Sequence, residues 1–360
     1  MRLSSLLPGA VVVPIRRMTS RHFGASCRRN RLAALVLASF SLAAGAQWRT
    51  PTPQDKTADS AAFEGIAQVI GENFSDVQSV VVAVKGHMAF QYDRDGDPGA
   101  LRDVQSVAKS ALAVVVGMAL HEGRIKSLDQ PVVELIPELL PLNADPKSRD
   151  ITLRHLLTMT AGFQVNDPAG TARAGTLRES WARLLTSPPG QTFAYDNAVP
   201  DILAAALGKA VGMPAADYVR QQLVGPLGMA EPSYERGLRV RTQDMARLGQ
   251  LMLQNGRWGD RQLLAASYVE EATTVRNAGG LPVSLPYGFM WWVAPSKAPR
   301  PTFLASGYGG QFIWVYPDMD AVIAVTSTVS NDGVRRGEAL KLMRTHLYAA
   351  AHKRAAAGNR

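Results

Sequence analysis

Apolar and polar residues follow two different periods along the 360-residue chain, and the period changes twice. Near the N-terminus, a β-branched run at residues 80–84, a turn at residues 85–87 and a second strand to about residue 92 predict a β-hairpin. Between about residues 127 and 284, the apolar residues recur at helical spacing. Strand periodicity returns near "YGFMWWVA", continues through "TFLASGYGGQFIWVYPDMDAVIAVTSTV" and gives way to a final helix.

Several segments outside the strands have the spacing of helices. They are "AAFEGIAQVIGENF", which follows a polar linker at residues 47–60, then "ITLRHLLTMTAGF", "AVPDILAAALGKAVG" and "TQDMARLGQLMLQNGRW". The pattern predicts an α/β (α+β) fold with one sheet from the N- and C-terminal segments and a helical lobe inserted between them. We expect the sheet lobe at residues 47–126 and 285–360, the helical lobe at residues 127–284, and a functional site in the crevice between them.

Residues 1–46 have the composition of an export signal. They contain seven arginines and no acidic residue, and they end in the apolar run "LAALVLASFSLAAGA" with the small residues of a cleavage site. Because a spanning helix needs about 20 residues, this run is short for an uncleaved anchor. We expect a cleaved signal, a periplasmic or secreted protein, and no stable membrane insertion afterwards. The Arg28-Arg29 pair leaves a twin-arginine export route open. The sequence also leaves open whether the chain starts at Met1 or at Met18.

Without the leader, the charge and the redox chemistry expected of the chain change. The net charge of +9 falls to +2 for residues 47–360, so bulk charge gives no reason to expect a nucleic-acid partner. The single cysteine, Cys27, lies in the leader, which leaves residues 47–360 without a disulfide or a catalytic thiol. The six histidines follow no metal-ligand spacing, and we expect no cofactor. The sequence does not specify an oligomeric state.

The segment "DVQSVAKSALAVVVGMAL" places Ser106 and Lys109 three residues apart at the start of an apolar run of helical length. At positions i and i+3 the two side chains lie on one face of a helix. The residues around them are apolar nearly all round, which predicts a buried helix. A serine is a poor nucleophile until a neighbouring group takes its proton, and a buried lysine can do so. The alternative is that Ser106 caps the helix while Lys109 extends to solvent.

A second motif supplies polar groups for such a nucleophile. In "PPGQTFAYDNAVPDILAA", Tyr195 is a candidate base or proton shuttle for Ser106. Asn197 is a candidate to orient Lys109 and to hold a substrate carbonyl. In the structural alternative, Tyr195 is a core aromatic residue and Asn197 is a helix cap.

A third motif, "LASGYGGQFIWVYPD", is a strand of small residues. Ser306 and Gly307 permit close approach of a substrate to the backbone, and the N–H group of Tyr308 is a candidate for an oxyanion hole together with that of Ser106. A β-bulge or a hairpin strand explains the same glycines. Aromatic residues before and within this region are candidates either for an acyl pocket or for a buried strand: Phe289, Trp291, Trp292 and Tyr308.

The order of these motifs resembles that of the serine β-lactamases and penicillin-binding proteins. The flanking sequence resembles the class C β-lactamase-like hydrolases, which include esterases, D-peptidases and 6-aminohexanoate-dimer hydrolases. Similar phrases cover nearly all of residues 60–350 in family order, among them "SVAKSALAVVVGMALHEGRIKSLDQPV", "DITLRHLLTMTAGF", "YVRQQLVGPLGM" and "GYGGQFIWVYPD". The resemblance implies a β-lactamase/transpeptidase-like fold, with an antiparallel sheet flanked by helices and an inserted all-helical lobe.

The resemblance also implies a chemistry. Ser106 is expected as the nucleophile, Lys109 and Tyr195 as its proton-transfer partners, and Asn197 at the polar position of Y-x-N, with water hydrolysing the acyl-enzyme. The last motif departs from the family, because Ala305 begins the triplet that reads Lys-Thr-Gly in true β-lactamases. Without that cation a β-lactam carboxylate loses its partner, so we expect an exported serine hydrolase of a small-molecule amide or ester. The competing hypothesis is a non-catalytic, penicillin-binding-like module for ligand binding or sensing.

Overall fold

The structure is a computed structural model that describes residues 48–166, 175–235, 237–296, 298–329 and 333–357. The expected export signal at residues 1–46 lies outside the described residues. The described strands are β1 (Val77–Val84), β2 (His87–Asp93), β3 (Arg102–Asp103), β4 (Arg239–Val240), β5 (Arg257–Trp258), β6 (Arg261–Gln262), β7 (Asn277–Gly280), β8 (Leu285–Tyr287), β9 (Trp292–Ala294), β10 (Thr302–Gly307), β11 (Gln311–Tyr316) and β12 (Ala321–Ser327).

Helices occupy both ends of the described chain and most of its middle. They are α1 (Pro53–Phe63), α2 (Ile66–Asn73), α3 (Val107–His121), α4 (Val132–Leu135), α5 (Leu153–Leu157), α6 (Leu177–Trp181), α7 (Val199–Val211), α8 (Ala215–Val219), α9 (Gly225–Leu227), α10 (Thr242–Leu253), α11 (Ala266–Ala272), α12 (Gly333–Leu342) and α13 (Tyr348–Ala357). Single π-helical turns at Arg220–Val224 and Met343–Leu347 join α8 to α9 and α12 to α13.

One eight-stranded sheet unites the two ends of the chain, in the order β2-β1-β12-β11-β10-β9-β8-β7. Neighbouring strands pair antiparallel, and the N-terminal strand β1 pairs with β12, so that Val80 lies opposite Val325. The predicted fold class, a sheet from both ends of the chain flanked by helices, is confirmed.

The central strands are apolar on both faces because helices cover both sides of the sheet. In β1, Val80 and Val82 belong to a core shared with α1, α2, α12 and α13. Val81 and Ala83 point the other way, into a larger core that includes α3, α7 and α10. This explains why residues 80–84 form an unbroken apolar run, since a strand covered on both faces has no polar side.

Helix α10 packs directly on the sheet. A Cβ atom at Gly249 would lie 2.6 Å from Val322 Cγ1 and 2.7 Å from Ile313 Cγ2, so the close approach requires glycine. This contact holds the helical part of the chain against the sheet, on the side where Ser106 lies.

Two predicted elements differ from the structure. Most of the expected linker at residues 47–60 belongs to α1, because Thr52 and Asp55 form a capping box that starts a helix there. The expected strand "YGFMWWVA" is divided into β8 and β9. Met290 between them has a φ of +55°, a left-handed conformation that a continuous strand cannot contain.

Candidate active site

Helix α3 carries the first motif and lies between the sheet and the helical region, in contact with α7, β10 and β11. Its residues are buried on nearly every side, as their apolar character predicts. Ser106 is the residue before its first turn, and Lys109 follows one turn later on the same face. The helix therefore presents the serine at its N-terminal end and the lysine beside it.

Ser106 does not use its side chain to cap the helix. Instead its Oγ accepts a hydrogen bond from Lys109 Nζ at 2.9 Å. The same Nζ donates to Asn197 Oδ1 at 2.8 Å, and Lys109 is only 8% exposed. Lys109 thus lies between the serine and the asparagine and does not extend to solvent, contrary to the alternative of a helix cap with a solvated lysine.

Tyr195 contacts the same lysine through the face of its ring. Lys109 Nζ lies 4.9 Å from the ring centroid, and the other face of Tyr195 stacks near Trp292 with the ring centroids 5.9 Å apart. Tyr195 is 5% exposed. The structure therefore brings Ser106, Lys109, Tyr195 and Asn197 together, although they come from two segments far apart in sequence.

A buried acid holds the loop that presents Asn197. Asp196 Oδ1 accepts a hydrogen bond from the N–H group of Ala198 at 2.8 Å, just before α7 begins. The carboxylate also forms an ion pair of 2.7 Å with Arg183. The side chain of Asp196 is thus engaged by Ala198 and Arg183, while Asn197 contacts the lysine.

The small residues of β10 adjoin the segment that leads to Ser106. A Cβ atom at Gly307 would lie 2.6 Å from the carbonyl oxygen of Val104, so no other residue fits there without movement. Tyr308 lines the same cavity as Ser106, whereas Ser306 is half-buried and is not among the lining residues of that cavity. Gly307 thus adjoins the segment that leads to Ser106, and Tyr308 lines the cavity.

Gln105, directly before Ser106, has a φ of +49°, in the left-handed region that non-glycine residues rarely adopt. Asp103 holds it there: Asp103 Oδ1 accepts the N–H group of Gln105 at 2.9 Å, and Oδ2 accepts the side-chain amide at 2.7 Å. Asp103 is itself fixed in β3, opposite Arg239 in β4. Sequence reasoning missed this role. The available signal was an acidic residue two positions before a polar one at the turn into the helix.

A cavity of about 880 Å³ begins at Ser106 and Lys109. Asn197 and Tyr308 line it near these residues, and the helices α3, α7, α8 and α10 supply most of its remaining wall. By sequence, the other aromatic residues are candidates for an acyl pocket or for a buried strand. Phe289, Trp291 and Trp292 are at most 2% exposed and do not line the cavity, so they are buried residues outside any such pocket. All three belong to the larger hydrophobic core, where Trp292 stacks near Tyr195.

Partial burial raises the pKa of Asp201, a residue of the cavity wall, above its ordinary value. The positive charge of Lys109 acts in the opposite direction, and the negative charge of Asp196 reinforces the effect of burial. The carboxyl group of Asp201 is therefore more easily protonated in the cavity wall than in free solution.

The sequence profile of the family described as Beta-lactamase matches residues 72–347, which is most of the chain. The chain belongs to the beta-lactamase family. The matched range contains Lys109 and the three residues that contact it, Ser106, Tyr195 and Asn197. The curated relatives reported below are hydrolases by name.

Three curated relatives have different activities in their names. Esterase EstB of Burkholderia gladioli is 33% identical over 144 residues, which cover 35% of this chain and 36% of the esterase. The 6-aminohexanoate-dimer hydrolase of Paenarthrobacter ureafaciens is 24% identical over 272 residues, 66% of this chain and 69% of that protein. The D-alanyl-D-alanine-carboxypeptidase/endopeptidase AmpH of Escherichia coli (strain K12) is 32% identical over 139 residues. The matches to EstB and AmpH thus span about a third of those relatives.

Solved structures show the same fold at low sequence identity. The hydrolase EstCE1 has a TM-score of 0.66 at 16% identity and covers 82% of this chain and 99% of its own. A penicillin-binding protein homologue from Caulobacter crescentus has a TM-score of 0.63 at 16% identity, with 84% and 100% covered. A class C beta-lactamase has a TM-score of 0.61 at 16% identity, with 82% and 99% covered. The β-lactamase/transpeptidase-like fold is therefore confirmed.

Among the described residues, no cluster of three or more His, Cys, Asp or Glu side chains is arranged to hold a metal ion. Within the same part of the chain, no single helix is long and apolar enough to cross a membrane. Two helical segments bent by 75° relative to each other are long and apolar enough only when they are taken together. They are Val199–Val211 and Ala215–Leu227.

Proposed function

We propose that this protein is an exported serine hydrolase that cleaves an ester or amide of a small molecule through an acyl-serine intermediate. The observation that supports it most is the 2.9 Å contact of Lys109 Nζ with Ser106 Oγ, at a serine whose side chain caps no helix. A structural serine at this position would bond to the backbone N–H groups of the first turn. The proposal of export rests on the composition of residues 1–46.

In the proposed reaction, Ser106 Oγ attacks the carbonyl carbon of the substrate while its proton passes to Lys109 Nζ. A lysine accepts a proton only in its uncharged form. The backbone N–H groups of Ser106 and Tyr308 are our candidates to stabilise the oxyanion. The bond to the alcohol or amine then breaks, and the leaving group takes the proton. Water repeats the sequence at the acyl carbon and regenerates Ser106.

Tyr195 has two functions in this proposal. Its ring face and Asn197 Oδ1 contact Lys109 from different directions and hold the amine beside Ser106. Its hydroxyl group remains our candidate carrier of a proton between the serine and the leaving group. Asn197 also lines the cavity, where its amide can contact a substrate carbonyl.

Intact mass spectrometry of the purified protein tests the proposal. The reagents are a fluorophosphonate, p-nitrophenyl butyrate, a linear amide and benzylpenicillin. We expect one stable phosphonyl adduct, a transient acyl adduct with release of nitrophenol, and slow or no turnover of benzylpenicillin because Ala305 replaces the usual cation. A persistent acyl adduct without product release supports the binding module instead. No adduct from any reagent contradicts Ser106 as a nucleophile.

Replacement of Asp103 by alanine tests how the nucleophile is positioned. Without its two acceptors, the left-handed conformation of Gln105 loses its support, at a cost of about 1–3 kcal/mol. We expect kcat/KM for p-nitrophenyl butyrate to fall about 5- to 150-fold, which is this cost expressed as a ratio of rates. Adding Gln105→Gly should restore most of the loss, because glycine adopts a positive φ without strain.

The control for this experiment is Asp95→Ala. Asp95 is an acid of the same region that pairs with Arg102 at the surface, away from Gln105. Its replacement should leave kcat/KM unchanged. Wild-type activity in Asp103→Ala, or no recovery in the double variant, would show that the left-handed conformation does not depend on Asp103.

A further inference from the structure

The cavity at Ser106 extends well beyond the reacting groups. Ser106 and Val115 both line it, and the helical segment between them is about 13 Å long. Its volume of about 880 Å³ is that of a site for a whole small molecule, since such sites measure about 300–1,000 Å³. The attack on a carbonyl carbon needs only the first part of this space. The remainder is available to one substituent of the substrate.

Small residues create the space between the helices. Five alanines line it where larger side chains would fill it, namely Ala108 and Ala111 on α3, Ala204 on α7, and Ala215 and Ala216 on α8. The inner wall is apolar and buried, with Val115 fully buried, Leu223 2% exposed and Leu248 3% exposed. A group that reaches this wall leaves water for a hydrocarbon surface, which is favourable only for an apolar group.

The acidic residues of the wall are mostly engaged already. Asp244 is fully buried, and its two oxygens accept from Arg241 at 2.7 and 2.9 Å, from Arg247, and from the N–H group of Ala230 at 3.2 Å. Asp103 is bound to Gln105. Among the described residues that line the cavity, Lys109 is the single basic side chain.

These charges select against an anionic substituent. A carboxylate in the cavity would meet the apolar wall, which cannot replace its lost hydration. Only Lys109 could neutralise it, and that amine is already engaged with Ser106 and Asn197. The wall therefore suits an uncharged chain.

We propose that the cavity is an acyl-binding site for an uncharged hydrocarbon chain of medium length, and that the protein is a hydrolase of medium-chain acyl esters. The inference rests on the proposed function and adds its substrate class. The acyl group is assigned to the cavity because it stays attached to Ser106 until water attacks. The leaving group must depart first, which a site with a buried inner wall does not favour.

A series of p-nitrophenyl esters, from acetate through butyrate and octanoate to palmitate, tests the inference. Each methylene that enters the cavity should raise kcat/KM about fourfold, the ratio that corresponds to about 0.8 kcal/mol per buried methylene. We expect the increase to continue to octanoate and to reverse at palmitate, whose chain is longer than the cavity. Equal kcat/KM values across the series would overturn the inference.

Ala204→Phe locates the site, because its ring would occupy the middle of the cavity. We expect kcat/KM for octanoate to fall at least tenfold more than kcat/KM for acetate. Lys209→Phe is the matched control, since it adds the same ring to an exposed position on α7 and should not change the profile. An equal loss for acetate and octanoate in a folded Ala204→Phe variant would contradict the assignment.

Leu112→Ala decides the question if Ala204→Phe does not fold. It enlarges the cavity beside Ala111 and should move the preferred ester from octanoate towards longer chains. An unchanged preference would overturn the inference. The two proposals fail differently: if no ester is hydrolysed in a Ser106-dependent way, both are wrong. If Ser106-dependent hydrolysis is present without a chain-length preference, only the acyl-binding site is wrong.

Discussion

Replacement of Ser106 by alanine is expected to lower kcat for ester hydrolysis by roughly 10⁴- to 10⁶-fold, as loss of a nucleophile does in other serine hydrolases. The fluorophosphonate adduct should disappear with it. The physical reason is that Ser106 Oγ accepts a hydrogen bond from Lys109 Nζ at 2.9 Å. Among the described serines, no other hydroxyl group is bonded to that amine. Assays of ester hydrolysis and intact mass spectrometry on the same preparation measure both effects.

The stability of Ser106→Ala should be close to that of the wild type. A serine that caps a helix contributes about 0.5–2 kcal/mol, but the Ser106 side chain makes no capping hydrogen bond. Lys109 retains its bond to Asn197 after the exchange. We therefore expect a change in melting temperature of less than about 4 °C.

Ser110→Ala is the matched control, because Ser110 lies one turn further along the same helix. Its hydroxyl donates to the carbonyl oxygen of Met290 at 2.5 Å, and the residue is 2% exposed. Its removal leaves a buried acceptor unpaired, which costs about 1–3 kcal/mol. Ser110→Ala should thus lower stability and keep labelling, the reverse of Ser106→Ala. Retained labelling in Ser106→Ala would show that another residue is the nucleophile.

Lys109→Arg is expected to lower kcat/KM about 10²- to 10⁴-fold, the range for loss of a general base. A guanidinium group keeps its positive charge but does not give up its proton in proteins. Lys109→Met should lose as much, because it keeps the length of the side chain and removes the amine. The pair of variants separates charge from proton transfer: if the lysine acts only through its charge, the arginine variant remains active.

Lys209→Met controls for the general effect of removing a lysine. Lys209 is exposed on α7 and pairs with Glu138 at 2.8 Å, so its loss should change neither kcat/KM nor the melting temperature measurably. Thermal melts of all three variants show whether the buried position tolerates the exchange. A folded and active Lys109→Met would remove the lysine from the proposed mechanism.

Much of the fold could be predicted because its determinants are local or periodic. The β-branched run at residues 80–84 predicts a strand covered on both faces, and β1 pairs with the edge strand β2 on one side and with β12 on the other. The boundaries of α1 could not be taken from apolar spacing, because a capping box and not an apolar stripe starts that helix. The division of "YGFMWWVA" into β8 and β9 depends on a backbone conformation at Met290 that hydropathy does not encode.

The sequence alone determines that Ser106 and Lys109 lie side by side, since any α-helix places residues three apart on one face. It also determines the order of the three motifs and the basic and apolar composition of residues 1–46, on which the proposal of export rests. These features follow from helix geometry and composition, and no distant part of the chain can change them.

The tertiary structure decides what surrounds that pair. In the folded chain Asn197 contacts Lys109, and the ring face of Tyr195 lies against the same amine. Asp103 holds Gln105, the residue before Ser106. The tertiary structure also buries the tryptophans and leaves a cavity where alanines on different helices face one another. Each of these outcomes depends on how helices and strands distant in sequence pack together, because packing sets the distances between side chains that no local pattern specifies.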